Sequence, residues 1–270
     1  MHDVAIVGGG PAGLSAALVL GRCRRDVVVF DGGSPRNAAS HAAHGFFTRD
    51  GVCPEDLLAL GRAQLAPYGV RVVRRDVVGV RRVADGFDVH VAGEPEAVLV
   101  RKLLLATGVR DRLPERPGVR ELLGSGVYVC PYCDGWENRD RRIGVWAPPA
   151  NAREKALGML TWSADVALFV DGERLARDDD DALRARGVTV HDARVARLAS
   201  EGGRLAAVEL DGGARVACDA LFVHMGQEQA SPFAVELGCV LVPNGTVRAT
   251  KGERTGVPGL WVAGDASHDL

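Results

Sequence analysis

The sequence predicts an α/β chain of two three-layer domains, and three observations predict it. Residues 4–31 read as strand, glycine turn, helix, strand and closing acid, and residues 142–170 repeat the order strand, turn, helix, strand. Between them, Pro114, Pro117 and Gly118 mark a linker where the composition shifts. At roughly 150 residues per domain, a chain of 270 residues holds one large domain or two modest ones, each able to bury its own core.

The first unit opens on Val4-Ala5-Ile6-Val7, a short β-branched run. Gly8-Gly9-Gly10-Pro11-Ala12-Gly13 follows, with glycines spaced as G-x-G-x-x-G, then a helix over 14–20 and a strand over 27–30 closed by Asp31-Gly32. Each glycine has a physical task. Gly8 allows the tight turn, Gly10 lets the backbone approach a pyrophosphate, and Gly13 lets helix and strand pack closely. The helix N-terminus offers N–H groups and the positive end of its dipole to phosphates, with Pro11 and Ala12 of the glycine turn as further candidates. Asp31 stands where a carboxylate accepts ribose hydroxyls. The glycine pattern alone is weak; after a strand, before a helix and about 20 residues ahead of an acid it reads as a Rossmann-like nucleotide-binding unit. The alternative is a Gly-rich βαβ turn with no ligand.

Residues 34–51 read as a polar loop lining the nucleotide, with Arg36, Asn37 and His41 as candidates. His41, His44 and Asp50 fit no zinc spacing, so no metal is expected. Pro54-Glu55-Asp56 starts a helix over 54–68, with proline and acids at its N-terminal end. Residues 70–73, 77–83 and 87–92 read as antiparallel strands. Residues 102–108 read as a buried strand ending in the turn Ala106-Thr107-Gly108. A strand over 126–129 leads into Cys130-Pro131-Tyr132-Cys133-Asp134-Gly135-Trp136-Glu137.

Composition narrows the function classes. Apolar residues are 47% and charged residues 25%, so the chain is neither disordered nor a disulfide miniprotein. A net charge of -2 argues against nucleic acid as a partner and gives no pull toward anionic membranes. Lys102, Lys155 and Lys251 are the only lysines; the scattered arginines reflect coding bias more than phosphate recognition. No basic leader precedes the first strand, and no apolar run approaches the roughly 20 residues of a membrane span, so a cytoplasmic protein is expected. Cys23, Cys53, Cys218 and Cys239 are isolated in sequence and are expected as small buried hydrophobes.

Cys130 and Cys133 form a C-x-x-C pair. A structural zinc site needs four ligands, and the chain has no second such pair. The redox reading follows: the spacing lowers one thiol's pKa and keeps the second within exchange distance, with Pro131 stiffening the turn. Asp134 is a candidate proton shuttle whose pKa burial would raise. Its structural alternative is a helix N-cap. Trp136 is the one tryptophan expected to line a substrate groove.

These residues, with Gly264-Asp265 after Leu260-Trp261-Val262-Ala263, give a chain that resembles the thioredoxin reductase branch of the flavin-linked disulfide reductases. The resemblance implies that the first glycine fingerprint binds FAD and that Asp265 contacts its ribityl-phosphate region. It implies that Cys133 faces the flavin, Cys130 attacks an external disulfide and Asp134 donates the proton. It further implies a FAD domain of 1–113 plus 221–270, with an NAD(P)-binding-like domain of 114–220 inserted and carrying the dithiol, and a homodimer in which the inserted domain rotates.

The sequence departs from that family in two places. After the strand Arg142-Ile143-Gly144-Val145-Trp146-Ala147, the expected glycine turn is replaced by Pro148-Pro149-Ala150-Asn151-Ala152, followed by a helix over 153–162. Two prolines remove N–H groups a pyrophosphate would need, and Trp146 is expected to add bulk at the turn. The next strand, 165–170, ends in Asp171-Gly172-Glu173-Arg174, near Asp178-Asp179-Asp180-Asp181, where NADPH users of the family carry arginines. Acids there repel a 2′-phosphate, which argues against ordinary NADPH binding. NADPH-independent dithiol oxidases similar to the reductases oxidise small dithiols with FAD and molecular oxygen, although several carry histidine where Asp134 stands. Second, the family continues past Gly264-Asp265 with a helix, whereas this chain stops at Leu270, which is expected to weaken FAD affinity.

Three functions compete. The first is a FAD-dependent disulfide/dithiol oxidoreductase, either NADPH-independent or a conventional NADPH-dependent thioredoxin-disulfide reductase, with a small dithiol or a thioredoxin-like protein as partner. The second is a non-catalytic FAD-binding redox sensor, against which the intact C-x-x-C-D argues. The third, a zinc-stabilised binding module, fails on ligand count.

Overall fold

The computed structural model describes residues 1–267; residues 268–270, where the expectation about the chain's end falls, lie outside the described residues. The chain forms two compact units. The first comprises Met1–Ala38, Val52–Arg110 and Gln227–Leu270; the second comprises Ala39–Gly51 and Asp111–Gly226.

In the first unit, four parallel strands run in the order Arg71–Val73, Val27–Phe30, His2–Val7, Val98–Leu105. The long strand Val98–Leu105 pairs on its other side with antiparallel Gly86–Val91 through its first half and with parallel Leu260–Val262 through its second. Strand alternation splits the core. Ile6 and Val29 pack beneath Leu14 and Ala17 of the helix Pro11–Arg22 and Leu58 and Leu65 of the helix Pro54–Leu65. Ala5, Val7 and Val28 face the other way, onto Phe87, Phe233 and Val247. The second helix stops before the expected residue 68. Pro67 supplies no N–H, and Ala66–Tyr68 tightens into a 3₁₀ turn closed by left-handed Gly69.

The second unit has three layers. Its parallel sheet runs Thr189–His191, Val166–Phe169, Ile143–Trp146, Ala220–Val223, Val127–Tyr128. The helices Pro149–Met159 and Arg177–Arg184 cover one face through Ala152, Ala156, Met159 and Leu183. The antiparallel strands Val195–Glu201 and Arg204–Leu210 cover the other through Leu198 and Val208.

Several details differ from expectation. The chain leaves the second unit after Gly226, not at 220, because Ala220–Val223 is an all-buried strand paired along Ile143–Trp146. Ala39–Gly51 clusters with the second unit; a Cβ on Gly124 would lie 2.2 Å from the Ala39 carbonyl oxygen, so that approach requires glycine. The helix after Trp146 begins at Pro149, since proline is tolerated at a first helical position. Trp146 does not crowd that helix start: it is fully buried in the opposite layer, against the antiparallel strands. Cys218 and Cys239 are buried, but Cys23 and Cys53 are exposed, because they cap helix ends. Among the described residues no helix is long and apolar enough to cross a membrane.

Candidate active site

The edge strand Val127–Tyr128 delivers the chain to Cys130, which caps the single helical turn Pro131–Asp134 in an extended conformation. The Cys133 and Asp134 N–H groups both donate to the Cys130 carbonyl. This turn holds the two Cα atoms 5.3 Å apart, and Cys130 and Cys133 are disulfide-bonded. Gly135 is required behind it, since a Cβ there would stand 2.7 Å from the Trp162 ring. Tyr132 is 86% exposed and meets Trp162 edge-on. Cys133 is exposed and Cys130 half-buried. Trp136 is also exposed, with the Arg139 guanidinium stacked 4.2 Å from its ring centre.

Asp134 is the last residue of the turn, and Cys130 takes the cap position, so the N-cap alternative is corrected. Burial, helped by the charge of Glu137, pushes the Asp134 carboxyl up to about 6, while His44 opposes the rise. The Asp134 carbonyl accepts a 2.8 Å bond from Asn138 Nδ2. His44 lies between two carboxylates, with Nδ1 3.4 Å from Asp50 and Nε2 3.5 Å from Glu137. No local pattern joins His44 to the dithiol, because the two are far apart along the chain.

The folded-state value of about 6 exceeds the ordinary 3.8, so the folded chain holds this proton more tightly than the unfolded one. The sign follows by linkage: this group's favourable contribution is complete below about pH 4 and is lost as pH rises through about 6. Asp134→Asn, which stays neutral, is therefore expected to raise Tm relative to the parent above pH 7 more than at pH 4. Paired thermal melts at the two pH values check this; an equal difference at both refutes it.

In the first unit the glycine fingerprint fits a dinucleotide. A Cβ on Gly8, which has φ of 114°, would lie 2.1 Å from the Ala106 carbonyl oxygen, and one on Gly13 would lie 2.0 Å from that of Gly8. Gly8 thus serves packing against Ala106 and Thr107, and Gly13 serves packing of the helix against Gly8 and Ile6. Gly10, at the cap of Pro11–Arg22, faces open space with nothing within 4 Å, so its backbone is available for close approach. Gly264 packs so tightly on Ala12 that a Cβ would come within 2.8 Å, which seats Asp265 beside the helix start. Arg36 Nη1 donates to Asp265 Oδ2 over 2.9 Å, joining two expected site residues.

Asp31 is 9% exposed. It accepts from Gly33 N–H and from Arg74 Nη1, each at 2.9 Å, with Arg62 at 3.9 Å. Neither arginine belongs to a recognisable sequence motif. A carboxylate has about four acceptor positions, so room remains for ribose hydroxyls. Gly32 lies against the Asp76 carboxylate, which a Cβ at that position would have to displace. Asn37 is half-buried in the same unit, whereas His41 belongs to the second unit, where it lines a cavity of about 630 Å³ with Tyr128, Asn138 and Arg204.

The corresponding turn in the second unit differs. Pro148 is the cap and Pro149 the first residue of Pro149–Met159, so neither offers an N–H. The Asn151 and Ala152 N–H groups turn back onto the Pro148 carbonyl. Asp171, after the next strand, accepts the Val195 N–H at 2.8 Å and lies 3.5 Å from Arg116, so this acid ties two strands together.

The sequence pattern of the family described as "Pyridine nucleotide-disulphide oxidoreductase" matches residues 2–153 and 165–269. A "Thioredoxin reductase tcpT" of Claviceps purpurea is 34% identical over 277 residues, covering 97% of this chain and 86% of the relative. A "Probable thioredoxin reductase" of Arthroderma benhamiae is 30% identical over 301 residues, covering 99% and 74%. Among solved structures, that of HlmI superposes with TM-score 0.92 at 41% identity, covering 98% of this chain and 84% of the other. A putative thioredoxin reductase TrxB from Bacillus anthracis superposes with TM-score 0.93 at 32% identity, covering 98% and 90%.

Proposed function

Because the chain belongs to the pyridine nucleotide-disulphide oxidoreductase family, as a thioredoxin reductase-like enzyme acting on sulfur, we propose that it oxidises a small dithiol through FAD without NADPH. The observation that carries this reading is the pair of prolines at the second nucleotide turn, which withdraws N–H groups where a pyrophosphate would bind. A conventional NADPH-dependent thioredoxin-disulfide reductase is the second reading, favoured by the names of the relatives.

The residues assigned to FAD are Gly8, Gly10, Pro11, Ala12, Gly13, Asp31, Gly32, Arg36, Asn37, Thr107, Gly108, Gly264 and Asp265. Bound FAD would accept the two electrons of the dithiol and pass them to molecular oxygen. The protein's own part is thiol exchange. A substrate thiolate attacks the Cys130 sulfur, breaking its bond to Cys133 and forming a mixed disulfide. The second substrate thiol then displaces Cys130 and leaves as the oxidised product. Asp134, near pH 6, takes and returns the proton. A homodimer belongs to the same proposal, as does a reducing cytoplasm, where exposed Cys23 and Cys53 stay thiols.

The test is anaerobic bleaching of the FAD-loaded protein by NADPH, NADH or dithiothreitol, each alone. The expected result is bleaching by dithiol only, with colour returning on admission of air. Fast bleaching by NADPH overturns the proposal in favour of the reductase.

A further inference from the structure

The dithiol turn carries two carboxylates, Asp134 and Glu137, and the second of them meets a residue from a distant part of the sequence. His44 is presented by a built turn. Gly45 and Gly51 have φ of 72° and 77°, the Gly51 N–H donates to the Ala43 carbonyl over 2.9 Å, and the Gly45 N–H donates to Asp50 Oδ1 over 2.8 Å. The same Asp50 oxygen lies 3.4 Å from His44 Nδ1, while His44 Nε2 lies 3.5 Å from Glu137 Oε1. Asp50 thus closes the turn and orients the ring toward the dithiol segment. Only a ring protonated on both nitrogens can donate to both carboxylates.

We infer that His44 is a positioning residue of the dithiol reaction: it clamps Glu137 and thereby sets the charge that Asp134 meets beside Cys130 and Cys133. The inference rests on the reading above, in which Asp134 moves the proton. Asp134 takes the proton of the attacking thiol as the Cys130–Cys133 bond opens, and returns it to the sulfur released, so protons balance within the exchange. The charged groups facing Asp134 are Glu137 from its own segment and His44 from the loop, with Asp50 behind His44. Glu137 favours the protonated carboxyl and His44 the ionised one. The two residues therefore act in opposite directions on one titration.

The test follows alkylation of the reduced Cys130–Cys133 pair by iodoacetamide in the FAD-loaded, anaerobic protein, from about pH 5 to pH 9, read by mass spectrometry. The parent is expected to show an inflection near pH 6 that Asp134→Asn removes. His44→Gln is expected to move that inflection up by about one pH unit, and Glu137→Gln to move it down by a similar amount. His44→Lys, which sets a permanent cation beside Glu137, is expected to hold it at or below the parent value. If His44→Gln fails to fold by circular dichroism, the downward shift in Glu137→Gln decides. Shifts in the same direction, or none, overturn the role of His44. A parent without the inflection, or one that survives Asp134→Asn, instead overturns the role of Asp134 in the proposed function.

Discussion

Serine at Cys130 or Cys133 is expected to lower dithiol turnover by about a thousandfold or more, since the two sulfurs act as one unit and neither substitutes for the other. FAD colour is expected to be unchanged, because the glycine turn and Asp31 lie in the other compact unit. The two variants are expected to differ in what they trap. Cys133→Ser keeps Cys130, so substrate disulfide added to it should leave an adduct of one substrate mass. Cys130→Ser keeps only Cys133, to which the family resemblance assigns exchange with the flavin rather than with substrate, and should leave much less. Intact-mass spectrometry separates the cases. An adduct on Cys130→Ser alone exchanges the roles of the two sulfurs, and exposure of Cys133 beside half-buried Cys130 makes that comparison necessary. Turnover surviving in both variants removes the dithiol from the mechanism.

The parts of the site that were legible in sequence are those fixed by neighbours along the chain. Gly8, Gly10 and Gly13 act within one turn and helix start, and Cys130 and Cys133 within one helical turn. Their spacing is itself the geometry. The Asp31–Arg74 pair, the Arg36–Asp265 bond and the His44–Glu137 approach each join segments far apart in sequence, so no local pattern announces them. Trp146 shows a related limit. Sequence placed it beside the second nucleotide turn, and it is there in the chain, but strand alternation sends its side chain to the layer opposite the helix. The exit from the second unit is ambiguous in sequence because the apolar run Ala220–Val223 fits either a return strand or the last strand of the inserted sheet. Only its pairing with Ile143–Trp146 distinguishes them.

Gly10→Ala and Gly13→Ala are expected to separate cofactor binding from folding within a single turn. At Gly13 the added methyl would sit 2.0 Å from the Gly8 carbonyl oxygen. Backbone on both sides cannot yield as a flexible side chain can, so the helix must move off the strand at a cost of about 3 kcal/mol, seen in urea melts of the cofactor-free protein. At Gly10 the methyl meets no protein atom within 4 Å, and φ of -74° suits alanine. Its stability should therefore change by less than about 0.5 kcal/mol. The open space over Gly10 is nevertheless where a pyrophosphate must touch the backbone, and a methyl holds it off the N–H groups at the start of Pro11–Arg22. FAD affinity should fall by about a hundredfold, equivalent to about 2.8 kcal/mol, measured by fluorescence titration. Parent-like FAD binding by a well-folded Gly10→Ala would mean that the cofactor's phosphates lie elsewhere, and with them the assignment of Arg36 and Asp265 would fall.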